Sequence, residues 1–294
     1  MIYLFSKLVS IIIPCYNAQN FIVETIESVL NQSHQDFEVI ILNDGSQDNS
    51  EDAILDFTDS RIHYVKKENT GVSDTRNIGL SLAQGNFVLF LDADDVLSSS
   101  FLEKRLNQFQ KEPKALFSCG KVVKINEDGR LITGFFRGTS DEIYKDILLY
   151  NPEVITCPSN YLIRKDILDK YRLTFNASLS STADRFFLIE LATYGNGTYI
   201  EEGGELYYRV SSSSMSHHIT IPLVDDNELF YKALIKKKRN IPAVVFKKFA
   251  FKINYILGAA YLSLKVYDKG LLYLTHSFLS SPVNFTNNLL RKII

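Results

Sequence analysis

Along the first hundred residues, continuous apolar runs alternate with segments whose apolar positions recur at helical spacing. LVSIIIP (8–14) is a β-branched run closed by Pro14, the pattern of a strand buried on both faces. NFIVETIESVLNQ (20–32) follows, with Ile22, Ile26, Val29 and Leu30 on one helical face. FEVIILND (37–44) predicts a second buried strand, ended by the turn pair Asp44-Gly45. SEDAILDFTD predicts a helix, RIHYVKK a strand, and SDTRNIGLSLAQG a helix stopped at Gly85; the apolar run 87–91 is then a fourth strand. Strands that alternate with helices predict an α/β chain with a doubly wound, mostly parallel sheet.

After residue 100 the pattern changes. Residues 115–136 form two strand-like runs around Glu127-Asp128-Gly129. ADRFFLIELATYG (183–195) predicts a helix ending at Gly195, and ELYYRVS (205–211) another strand. The rest is mainly helical, which divides the chain into an α/β domain over 1–218 and a helical C-terminal extension over 219–294. The two parts differ in charge. The chain as a whole carries −2, but from Lys232 onward 12 Lys and Arg face one acidic residue, Asp268. An acidic body with a basic tail suggests two jobs, and the near-zero total gives no reason to expect nucleic acid as a partner.

The remaining bulk features narrow the class. With 294 residues, 46% of them hydrophobic and 22% charged, the chain reads as globular and not disordered. Cys15, Cys119 and Cys157 are odd in number and widely spaced, with no zinc-like cluster, which fits a reducing, cytoplasmic setting. The opening MIYLFSKLVSIIIP lacks a basic n-region and a small-residue cleavage site, so no signal peptide is expected. No apolar run approaches the roughly 18 residues a bilayer span needs.

In an open parallel sheet, ligands bind beyond the carboxyl ends of the strands. Here those ends are polar: PCYN (14–17), NDGS (43–46) and DADD (92–95). They line up Asn17, Asp44, Asp92 and Asp94 along one crevice. Asp92 and Asp94 can share a side if the extended geometry persists, and such a pair suits a hard divalent cation, Mg²⁺ or Mn²⁺. The plainer alternative makes Asp94 or Asp95 an N-cap of the helix SSFLEKRLNQF (99–109). Asp44 suits a base edge that donates hydrogen bonds, or is simply a turn aspartate. Arg76, near a helix start, offers a planar fork for a diphosphate, or is a solvated helix arginine. Asp184 sits where a helix dipole favours its ionised form, as a cap or as a general base.

Together VSIIIPCYN, VIILNDGSQDNS, GVSDTRNIGL, FLDADD and ADRFFLIEL, in that order, resemble the family 2 glycosyltransferases of inverting, bacterial surface-glycan type. The likeness runs over roughly residues 8–217. It implies a GT-A fold, a nucleotide-sugar donor (UDP-linked by expectation), a divalent metal at the DxD motif and inversion at the anomeric carbon. Carried over residue by residue, it implies that Pro14, Tyr16 and Asn17 line the nucleotide. Asp44 then reads the base, Arg76 and Asp92 serve the donor, Asp94 with Asp92 holds the metal, and Asp184 is the catalytic base. The polar segment SSSSMSHH (211–218) adds His217 as a candidate for the metal or diphosphate. Three departures stand out. Asn43 replaces a frequent aspartate, Asp74 replaces a small residue, and Ala183 stands where an acid is common. The chain also lacks the QxxRW motif of processive synthases, so transfer of a single sugar is expected.

The expected acceptor is a glycan or lipid-linked glycan. A polyprenyl-phosphate acceptor is a second reading; it arrives ionised and would make Asp184 dispensable. A non-catalytic scaffold with the same fold is a third, which retention of Asp44, Asp92, Asp94 and Asp184 argues against. For the basic tail, Lys236, Lys237, Lys238, Arg239, Lys247, Lys248 and Lys252 interleave with apolar residues. Two roles fit: packing on the α/β domain with lysines outward, or peripheral contact with an anionic membrane at its cytoplasmic face.

Overall fold

The computed structural model describes residues 7–210 and 219–286. In chain order the first half runs β1 (Val9–Cys15), α1 (Ile22–Leu30), β2 (Phe37–Asp44), α2 (Ser50–Leu55), β3 (Ile62–Lys67), α3 (Val72–Leu82), β4 (Phe87–Phe90), β5 (Val96–Leu97) and α4 (Phe101–Lys111). The second runs β6 (Phe117–Ile125), β7 (Leu131–Arg137), α5 (Ile143–Leu148), β8 (Leu162–Arg164), α6 (Lys165–Tyr171), α7 (Ala183–Ala192), β9 (Thr198–Ile200) and β10 (Leu206–Arg209). Three helices follow: α8 (Ile221–Lys237), α9 (Ala243–Ser263) and α10 (Tyr267–Ser280).

One sheet runs β3-β2-β1-β4-β8-β6-β10-β5, with β7 and β9 also paired to β6. The four strands β3, β2, β1 and β4 are parallel, with Val9 beside Phe37 on one flank and Phe87 on the other. Beyond β4 the direction changes, since β8 is antiparallel to both β4 and β6. This is the expected α/β, doubly wound architecture, mostly parallel where the motifs lie. The short strands β5, β8 and β9 and the helices α5 and α6 were not anticipated from the pattern.

The continuous apolar strands are explained by two cores on opposite sheet faces. All seven residues of β1 are buried. Successive side chains point to opposite faces, and accordingly Ile12 joins one cluster while Ile11 and Ile13 join the other. The second face is covered by α1, α2 and α4 through Ile22, Ile26, Ile54, Phe101 and Leu106. The first is covered by α3, α5 and α7, and also by the C-terminal helices: Phe230, Leu234, Phe249, Ile253 and Tyr261 belong to the same cluster as Ile12 and Phe187. Helix α3 lies close to the sheet because Gly79 has no side chain; a Cβ there would meet Ile12 Cγ2 at 2.3 Å.

The basic tail buries part of its apolar surface and turns most of its charge outward. Lys236, Lys238, Arg239, Lys247 and Lys248 are exposed. Two of the tail lysines have partners on the α/β part: Lys237 pairs with Glu190 at 2.5 Å, and Lys252 donates to the Leu149 carbonyl at 2.8 Å. Among the described residues, no helix is long and apolar enough to cross a membrane.

Candidate active site

The crevice lies at the carboxyl ends of β1, β2 and β4. At β1, Pro14 and Cys15 are buried, Tyr16 is 50% exposed, and Asn17 takes the left-handed conformation with φ 51°. Asn17 is bound at both ends, its Oδ1 accepting from Gln47 N at 2.8 Å and its N–H donating to Ser46 Oγ at 3.0 Å. The departure at Asn43 has a local explanation. Its amide donates to the Tyr64 hydroxyl (2.9 Å) and accepts from Ser46 N (2.8 Å), and an ionised aspartate could only accept.

Asp44 is 4% exposed and is held by three donors. Its oxygens accept from the Lys67 ammonium, from Thr70 N at 2.9 Å and from Gly71 N at 3.0 Å. Lys67 was read only as the end of a strand. It extends from the neighbouring parallel strand, where Asp44 and Lys67 are register partners. The positive φ of Gly71 (92°) lets the loop turn back so that both amides reach the carboxylate.

The DADD segment does not stay extended and caps no helix. Asp95 N donates to the Asp92 carbonyl at 3.1 Å, closing a turn, and Ser100 is the residue that flanks α4. Asp95 is fully buried, where its carboxylate accepts from Arg209 N at 3.2 Å and lies 3.3 Å from the Cys157 thiol. Burial and the charges of Asp94 and Asp92 hold its pKa well above the usual carboxylate range. Arg209 braces the turn, donating from Nε to the Asp94 carbonyl at 2.9 Å and pairing with Glu24. Only the strand around Arg209 was visible in the sequence, because its partners are up to 185 positions away.

Arg76 joins the two ends of the acidic cluster. Its guanidinium is 3% exposed; Nη2 donates to Asp92 Oδ1 at 2.5 Å and Nη1 to Asp184 Oδ1 at 2.6 Å. The Phe175 ring lies 5.0 Å from its centre. The fork expected to reach a diphosphate here grips two carboxylates through Nη1 and Nη2, and its Nε has no partner among the described residues. Asp74 does not disturb it, since that carboxylate accepts from the Thr70 hydroxyl. Asp184 occupies the first turn of α7, with Thr182 as the flanking residue. Burial raises the Asp184 pKa to about 6; Arg76 opposes the rise and Asp92 adds to it. Asp94 is likewise raised to about 6 by burial and by Asp92.

Two donor sets could hold a cation. Ligand atoms of Asp92, Asp95 and Cys157 all lie within 4.8 Å of one another. However, Asp95 is already spent on Arg209, and burial beside Asp95 and Asp92 keeps the Cys157 thiol protonated. A neutral thiol is a poor ligand. Asp94 with Asp92 is the better set: two carboxylate groups whose mutual repulsion a hard cation would relieve, with only the weak Cys157 thiol contact at 3.7 Å on Asp92 Oδ2 to displace. These residues fit Mg²⁺ or Mn²⁺. His217 lies outside the described residues.

Comparison with known proteins gives the family and the fold. The model of the family described as "Glycosyl transferase family 2" matches residues 10–172. An uncharacterised glycosyltransferase of Rickettsia bellii is 39% identical over 152 residues, 51% of this chain and 21% of that protein. The putative teichuronic acid biosynthesis glycosyltransferase TuaG of Bacillus subtilis is 40% identical over 144 residues, 48% of this chain and 57% of that one. The chain thus matches only about a fifth of the length of the first relative and just over half of the second. Among solved structures, S. aureus TarS 1–349 in complex with UDP-GlcNAc superimposes with a TM-score of 0.66 at 19% identity, covering 94% of this chain and 82% of that one. The fold is GT-A, and the chain belongs to glycosyl transferase family 2.

Proposed function

We propose that this chain moves one sugar from a nucleotide-sugar donor, UDP-linked, to a hydroxyl of a glycan or lipid-linked glycan, with inversion. The observation that carries the reading is the double ion pair of Arg76. One buried guanidinium fixes the first aspartate of the DxD motif and the candidate base Asp184 on the two sides of a single crevice. Asp184 takes the proton of the acceptor hydroxyl as its oxygen attacks the anomeric carbon. The bond from that carbon to the diphosphate breaks, and its electron pair leaves with the nucleoside diphosphate. A bound Mg²⁺ or Mn²⁺, held by Asp94 and Asp92 with His217 as a further candidate, would neutralise that leaving group. Pro14, Tyr16 and Asn17 line the nucleotide end, and Asp44 keeps one acceptor site for the base beyond its three donors. Arg76 serves by fixing the carboxylates.

The test begins with thermal melts of the full chain against UDP- and GDP-sugars in Mn²⁺. A ligand at a hundred times its dissociation constant adds about 2.7 kcal/mol of stability. A UDP-sugar should raise the melting temperature and release UDP with an acceptor glycan, and EDTA or Asp94→Ala should abolish both. Full activity in EDTA removes the DxD reading. If no donor binds, the scaffold reading takes its place.

The tail supports a membrane-borne acceptor. Leu271, Leu272, Leu279 and Val283 are more than half exposed, and Lys247 and Lys248 of the neighbouring helix are exposed as well. Each basic residue at an anionic surface adds about 1 kcal/mol of attraction. The chain should sediment with anionic vesicles and not neutral ones, and less in high salt. Recovery in the supernatant throughout would leave the tail a packing role.

A further inference from the structure

Asp226 belongs to α8, beyond the residues that carry the family motifs, and is 6% exposed. Its carboxylate forms no ion pair among the described residues, yet four donors fill it. Oδ1 accepts from Ser180 N at 2.7 Å. Oδ2 accepts from Ser181 Oγ at 2.7 Å, from Thr182 N at 2.9 Å and from Thr182 Oγ1 at 2.9 Å. All four come from the three residues that lead into α7, whose second residue is Asp184.

The same segment is held from the other side by α3. Asn77 exchanges two hydrogen bonds with the backbone of Phe175, at 2.8 and 2.9 Å, and Ser73 Oγ donates to the Leu179 carbonyl at 3.2 Å. Helix α3 also carries Arg76, which grips Asp184. Residues 175–182 are thus clamped between α3 and α8, and the start of α7 has little freedom relative to Arg76. We propose that Asp226 is a positioning residue for the general base: it fixes the 180–182 turn and so sets where the Asp184 carboxylate points. This rests on the reading of Asp184 as the base. Under it, the C-terminal extension completes the active site.

A carboxylate so placed could serve folding alone, so the test must separate the two roles. Asp226→Asn keeps the size but turns one acceptor oxygen into a donor facing donors. Apolar docking of α8 survives it, because Phe230 packs edge-on against Phe186 with ring centroids 6.4 Å apart. With the full chain, the UDP-sugar that stabilises it most and its acceptor, kcat should fall about 10–100-fold, as a displaced catalytic group predicts. The affinity for UDP should stay within about twofold. In an Asp184→Asn background, Asp226→Asn should cost nothing more, because both act through one proton transfer. A kcat within about twofold of the parent, or losses that multiply in the double variant, would overturn the proposal. Full turnover in Asp184→Asn alone would instead remove the base reading beneath it. Should Asp226→Asn not fold, Thr182→Val removes one donor at equal bulk and should lower kcat about 3–10-fold, again only while Asp184 is present. Glu228→Gln on the same helix, which loosens Lys232, Lys269 and Tyr261 and none of residues 180–184, should lower stability and leave kcat unchanged.

Discussion

Two strand ends of the parallel sheet carry carboxylates, and they are built on opposite plans. At β2, Asp44 meets the ammonium of Lys67 and two backbone amides, so its charge is balanced within the protein. At β4, Asp92, Asp94 and Asp95 crowd together with Asp184, and Arg76 pairs with only two of the four. Burial and like charge then push Asp94 and Asp184 to about 6 and Asp95 well above its usual range. The first end is charge-balanced by the protein's own groups. The second holds surplus negative charge that costs stability, as strained functional sites commonly do.

The largest expected effect separates chemistry from binding at the crowded end. Asp184→Asn is nearly isosteric and cannot take a proton, so turnover should fall by roughly 10²–10⁴ while donor affinity holds. The parent should show an acid limb in kcat. A base works when deprotonated, so activity is present above its pKa and lost as pH falls through about 6. A bound cation would move that limb lower. Loss of nucleotide affinity without loss of turnover would place Asp184 with the donor and undo the assignment.

Next come the two cations that answer the carboxylates. Lys67→Met strands a buried carboxylate that keeps only its backbone donors, and urea unfolding should show a loss of about 3 kcal/mol. Arg76→Met strands two partly exposed carboxylates, which protonation and water can relieve, so a smaller stability loss is expected. Its larger signature is kinetic, an acid limb shifted upward once the opposing charge is gone. If Lys67→Met were the kinetically damaging change and Arg76→Met the silent one, the contrast between the two ends would be reversed.

What the sequence revealed of this arrangement follows from how local each signal is. The parallel half was legible because burial on both faces writes continuous apolar runs, and DADD follows such a run directly. The strands β8 and β9, with three residues each, are too short to show a period. Lys67 lay in a segment read only as strand, because its role comes from register with Asp44. Asp226 fell inside the helical extension assigned to 219–294, and its bonds to Ser180, Ser181 and Thr182 cross 44–46 positions. Side chains that brace a site from afar leave no nearby pattern. For Arg76 the position was legible and the partners were not: the fork could be foreseen, but only the packing of α3 and α7 shows that it grips Asp184.

The smallest effect tests the surplus charge itself. In the folded chain Asp94 titrates near 6, against 3.8 for an unperturbed group. Folding therefore favours the protonated form. The stability tied to that proton is complete below about 3.8 and is lost as pH rises through about 6. At pH 7 the ionised Asp94 opposes folding. Asp94→Asn should then raise the stability of the ligand-free chain at pH 7, by on the order of 1 kcal/mol after allowing for partial exposure. The gain should fade as pH is lowered from 7 towards 4, because the parent acquires its own proton. Mn²⁺ should reverse the ranking, raising the melting temperature of the parent and leaving the variant unmoved. Thermal melts of both proteins at pH 4.5, 6 and 7.5, with and without Mn²⁺, decide it. A variant less stable than the parent at every pH would mean that Asp94 makes a favourable structural contact and holds no charge in reserve for a cation.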